Sequence, residues 1–182
     1  MVAYTPSLHV NPGFLNTLQL VKPHNIETAQ AVWQVTVTEW FPGRHGYKFV
    51  FGGSTPANNN MPDVTVIQVW AVVQNPSASQ RWAERQILLV ECKCPLSDTP
   101  LCWDDTISQF EHDLAKASER LFGAVAIGKE ARFYRFDGTK PPGYRLAQLH
   151  QGTFDMGNPN GITQVENMMN YIKAYTWQWA SP

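Results

Sequence analysis

The sequence predicts an α/β fold, with a mixed central sheet flanked by helices and an extra C-terminal helix. Three observations predict it. The apolar run Ile87-Leu88-Leu89-Val90 has the length and composition of a buried central strand. A β-branched run over 64–73 precedes it, with the turn-rich stretch 74–80 between them, so the two read as consecutive strands. Stretches beginning at Ile26 and Ile107 carry apolar residues at helical spacing and bracket this pair.

Taken in order, residues 1–24 hold Pro6, Pro12 and Pro23 and show no clear periodicity. They predict an extended arm packed through Phe14, Leu15 and Leu18. Asn25 suits a helix N-cap, and Ile26, Ala29, Trp33, Val37 and Trp40 form the stripe of the helix that follows. Phe41-Pro42-Gly43 stops it. Residues 47–51 read as the first strand, and Gly52-Gly53-Ser54 and Asn58-Asn59-Asn60 as a loop leading to Pro62-Asp63. After the two strands already named, Pro95 and Pro100 break the sheet. Asp104 and Asp105 suit the first turn of a second helix striped by Ile107, Phe110, Leu114, Ala117 and Leu121, with Gly123 at its C-terminal cap.

Residues 124–127 predict a buried strand, 128–130 a turn, and 131–136 its hairpin partner. A short strand is expected within 144–149. The last helix follows Asn158-Pro159-Asn160-Gly161, with Thr163 to Glu166 fitting a capping box. Its stripe, Ile162, Val165, Met169, Ile172, Tyr175 and Trp179, is expected to pack on the domain; a homodimer seam is the alternative use.

The chain has 182 residues, 43% hydrophobic and 16% charged, enough for one domain with a real core. A net charge of −1 counts against a protein covered by a basic stripe, though not against a local basic cleft. Cys92, Cys94 and Cys102 lack a fourth ligand at zinc-finger spacing, so reduced cysteines near the core are expected. No signal peptide and no apolar run of membrane-spanning length is read, and an intracellular protein is the expectation.

The chemistry concentrates where the 87–90 run ends. Glu91 and Lys93 share one face of that strand while Cys92 points the other way. If the two strands fold back about Ser77, Asp63 stands opposite Glu91, with β carbons about 4.5–5.5 Å apart. Two carboxylates that close repel unless a cation sits between them, and such oxygens suit Mg²⁺.

Pro62-Asp63 followed by Glu91-Cys92-Lys93 at a strand end resembles the signature of the PD-(D/E)XK nuclease superfamily, the restriction-endonuclease-like fold. The wider wording is similar to uncharacterised proteins of filamentous fungi that carry this domain. It comprises Val90 to Lys93, then Trp103-Asp104-Asp105, then 122–128. The resemblance implies an αβββαβ core and a single domain over 1–182: an arm over 1–24, the core over 25–137 and an extension over 138–182. It also implies a nuclease that uses Mg²⁺ or Mn²⁺ and takes DNA or RNA as substrate. Asp63, Glu91 and the backbone carbonyl of Cys92 would hold the metal. Glu27 on the first helix would assist, with Glu39 in reserve, although an acid in a first turn also answers the helix dipole. Lys93 would orient or deprotonate the attacking water. Gln109 would reach that water or a phosphate, although Asp113 stands where relatives carry a Tyr. Arg81, Arg85, Arg132, Arg135 and Lys140 are candidate phosphate contacts; His112 reads as an ordinary surface histidine. A non-catalytic interaction protein on the same fold and another metal-dependent phosphohydrolase are the alternatives.

Overall fold

The computed structural model describes residues 5–22, 25–52, 63–72, 81–93 and 100–180. Helix α1 (Pro12–Gln19) and helix α2 (Ile26–Trp40) are followed by strands β1 (Tyr47–Phe51), β2 (Val64–Val72) and β3 (Arg81–Lys93). Helix α3 (Pro100–Ala117) then leads to β4 (Arg120–Ile127) and β5 (Glu130–Asp137). The short strands β6 (Leu146–Gln148) and β7 (Phe154–Asp155) precede the C-terminal helix α4 (Pro159–Ala180). Pro62, Cys94 and the connections at 53–62 and 73–80 lie outside the described residues.

The strands form one sheet in the order β1-β2-β3-β4-β5-β6, with β7 also on β5. Strands β3 and β4 run parallel across the α3 crossover, and the other pairs are antiparallel, so the sheet is mixed. Alternation along the strands sends Leu88, Val90, Cys92, Phe122 and Phe133 into a core with α1, α2 and α4. Leu89, Val125, Ile127, Tyr134 and Phe136 enter a second core with α3. The anchors of the larger core are big: Trp33, Trp40, Phe14 and Phe41 are all fully buried. Each such side chain contributes about 1.5–3 kcal/mol of hydrophobic stabilisation. The C-terminal stripe packs inward as expected, with Ile162, Val165, Met169 and Ile172 in that core.

Several local expectations are corrected. The arm is not wholly extended: α1 starts with Asn11 as N-cap and Pro12 at its first position, and buries Phe14 and Leu18. Helix α3 begins at Pro100, so Asp104 and Asp105 fall beyond its first turn, and it ends at Ala117. Leu121 and Gly123 belong to β4 instead. Gly123 is there for space: a β carbon on it would meet the Phe110 ring at 2.5 Å. Thr163 and Glu166 do not cap α4. The helix starts four residues earlier, with Asn158 Oδ1 accepting the Gly161 N–H at 2.8 Å. Glu166 reaches across the molecule, where Oε1 accepts the Leu8 N–H and the Ser7 hydroxyl.

Candidate active site

The site lies where β2 begins and β3 ends. The ladder between them sets Val64 opposite Val90, Thr65 opposite Leu89 and Val66 opposite Leu88, which is the register expected from the fold-back. The next pair is Ile67 with Gln86, so Ile87 is a bulge residue. Without that bulge the two strand ends would be out of step by one residue, and side chains would change faces.

Among the described residues, the pairing of β2 with β3 ends at Val64 opposite Val90. The carboxylate of Asp63 takes over from there, with Oδ2 accepting the Cys92 N–H at 2.6 Å. Its other oxygen accepts a hydrogen bond from Gln30 Nε2 on α2. Glu91 and Lys93 share the next stretch of edge, and Lys93 Nζ donates to Glu91 Oε1 at 2.7 Å. The Glu91 side chain is 14% exposed and that of Lys93 is 35% exposed. Parallel pairing with Val125 and Ile127 puts both on the α3 side of the sheet.

These groups feel one another. Burial pushes the Asp63 carboxyl above the usual carboxylate range, against the pull of the Cys92 and Gln30 hydrogen bonds and the Lys93 charge. Burial also raises Glu91; Lys93 opposes this, while the charges of Asp63 and Asp113 add to it. Burial alone would lower Lys93, but the Glu91 hydrogen bond and charge, with Asp63, outweigh it and its pKa lies above the ordinary value. Cys92 faces the opposite core, and burial holds its thiol well above the thiol range. The thiol lies in that opposite core, away from the Glu91 face, which leaves the Cys92 backbone for the metal role.

Two residues join the site that the sequence reading did not assign to it. Gln30 is 6% exposed and holds Asp63. Asp113 is 9% exposed, and its charge reaches Glu91. It accepts from Gln109 Nε2 at 3.0 Å and pairs with Lys116 at 3.3 Å. Each had a signal in the sequence: a polar residue beside an apolar helix stripe needs a buried partner.

Other expected residues stand apart. Glu27 is exposed in the first turn of α2, one turn before Gln30, so the α2 side chain that meets Asp63 is an amide rather than an acid. Glu39, at the far end of α2, accepts from the Ser7 N–H and from Asn11 Nδ2. Gln109 is exposed and, among the described residues, reaches the site through Asp113. Arg132 stacks on Trp103 at 4.0 Å and donates to Thr153 Oγ1 at 2.7 Å. Arg135 stacks on Trp179 at 4.4 Å. Arg85 lines a cleft with Gln86 and Ser118, about 20 Å back along β3 from Glu91. Lys140 and His112 are exposed, and the Arg81 side chain lies outside the described residues.

The donor set suits a hard divalent ion in type: carboxylate oxygens in a partly buried setting where anions outnumber the nearest ammonium. Each Asp63 oxygen that accepts one hydrogen bond keeps a second lone pair. Among the described residues, no group of three or more His, Cys, Asp or Glu is gathered tightly enough to hold a metal. Among the described residues, no helix is long and apolar enough to cross a membrane. The chain matches no protein-family model, no curated protein and no solved structure.

Proposed function

We propose that the chain is a metal-dependent nuclease of the PD-(D/E)XK type, hydrolysing phosphodiester bonds at Asp63, Glu91 and Lys93. The observation that carries this reading is that Asp63 caps Cys92 at the end of β3 while Glu91 and Lys93 pair on the same stretch, with the charges of all three acting on one another, in a register that depends on a bulge four residues before Glu91. The element order, α2, three strands, α3 and two strands, agrees with the order the sequence resemblance calls for.

Asp63 and Glu91 would hold Mg²⁺ or Mn²⁺, with the Cys92 carbonyl as a third oxygen. A bound divalent ion supplies acidity to water and neutralises phosphate charge. The protein's own part is positioning. Gln30 and the Cys92 N–H fix the Asp63 carboxylate, while Glu91 holds the Lys93 ammonium. Lys93 then offsets negative charge developing on the phosphate. A non-catalytic interaction protein is the second reading, favoured by the hydrogen bonds that both Asp63 oxygens already accept.

The test is cleavage of single-stranded and duplex DNA and RNA, with Mg²⁺ or Mn²⁺, by the wild type and by Lys93→Ala. Metal-dependent cleavage that falls by at least about 100-fold in the variant is expected. Wild-type protein that cuts none of these substrates, or a variant that cuts as well, contradicts the proposal.

A further inference from the structure

A second place on the molecule has the chemistry of a ligand site. On the α4 side of the sheet, at the start of β4, a cleft of about 200 Å³ is lined by Phe122, Arg135, Tyr171, Tyr175, Gln178 and Trp179. Tyr171, Tyr175 and Trp179 recur every four residues of α4, a rise of about 6 Å per step. Tyr171 is 36% exposed and Tyr175 is 47% exposed, and their rings lie 4.7 Å apart. Phe122 supports Tyr171 edge-on from beneath at 6.0 Å. Trp179 is pinned by its Nε1–H, which donates to the Leu121 carbonyl at 3.4 Å. Two guanidiniums lie over that indole, Arg135 at 4.4 Å and Arg120 at 5.4 Å. Arg120 has Asp137 at 3.5 Å, whereas among the described residues no carboxylate lies within ion-pair reach of Arg135.

We propose that this cleft binds a base of single-stranded nucleic acid, stacked on Tyr171 and Tyr175, with the adjoining phosphate on Arg135. Size, charge and form each narrow the occupant. The cleft is smaller than the roughly 300–1,000 Å³ of pockets that enclose a whole ligand, so it takes one flat ring and leaves the rest outside. The uncompensated guanidinium selects an anion next to that ring. Among nucleic acids only an unpaired strand offers free base faces beside phosphates, and such sites combine aromatic platforms with cations. A second copy of the chain fits less well. A two-fold contact centred on this cleft would bring the guanidiniums of both copies into one interface. The cleft faces away from Glu91 and Lys93, so it does not depend on the metal site.

The test is fluorescence anisotropy of a labelled oligothymidylate of about 12 nucleotides, in chelator so that no cleavage occurs. Wild type and Lys48→Ala, a β1 surface lysine paired with Glu84, should bind alike. Tyr175→Ala and Arg135→Ala should bind about 5- to 150-fold more weakly, and Tyr175→Phe within about 2-fold of wild type. Circular dichroism checks that each variant is folded. Equal binding by wild type and Tyr175→Ala overturns the proposal, as does equal binding of a duplex or a wild type that binds neither. So does a Tyr175-dependent change in sedimentation, which would make the surface a self-association seam. Cleavage without Tyr175-dependent binding would sink this inference and leave the nuclease reading standing; binding without any cleavage would do the reverse.

Discussion

Asp63 is held from two directions, by an amide on α2 and by a backbone N–H at the end of β3. Holding it costs something, because burial raises both its pKa and that of Glu91. The native state therefore keeps protons on these carboxyls that the unfolded chain gives up. The stability they contribute is complete below the ordinary carboxylate pKa and is lost as pH rises through their raised native values. At neutral pH, without metal, Glu91→Gln should raise Tm by about 2–4 °C, the shift that about 1 kcal/mol brings in a chain of this size. Differential scanning fluorimetry in chelator checks it, and the gain should disappear near pH 4. Asp63, Glu91 and Lys93 were legible in the sequence because these charged groups directly flank apolar runs that read clearly as strands. Gln30 and Asp113 were not, because their partners are contributed by other elements and helix spacing says only that such partners must exist.

At the scale of elements, the hairpin of β2 and β3 positions the site, and α3 covers one side of it. The hairpin was read from its β-branched run and turn residues, and the register near Asp63 followed. The bulge at Ile87 was hidden, because 87–90 is continuously apolar and gives no alternation from which a change of phase could be seen. Helix α1 was missed although Asn11-Pro12 is a cap followed by a first-turn proline; the prolines of the arm outweighed it. Gly123 was read as a helix cap and is a packing residue under Phe110. Gly123→Ala should therefore destabilise the fold by about 1–3 kcal/mol in urea denaturation. Phe110→Leu in the same chain should recover part of that loss, because the clash is with the ring.

At the scale of the molecule, a mixed sheet carries α1, α2 and α4 on one face and α3 on the other. The layers are tied at long range by Glu166, whose Oε1 gathers the Leu8 N–H, the Ser7 hydroxyl and the His9 N–H from the arm onto α4. Periodicity placed α4 correctly but misassigned Glu166 to a local cap, since its partners lie more than 150 residues away in the chain. Glu166→Ala should cost about 1–2 kcal/mol and speed hydrogen exchange at Leu8, while Glu166→Gln, which keeps an acceptor, should cost less. This whole arrangement acts chemically only if Asp63 and Glu91 serve one cation. Calorimetric titration of Mn²⁺ into wild type, Asp63→Asn and Glu91→Gln tests that most directly. A single site in the wild type that both variants lose is the expected result. A wild type that takes up no Mn²⁺, or variants that bind it as well, would contradict the shared-ion site.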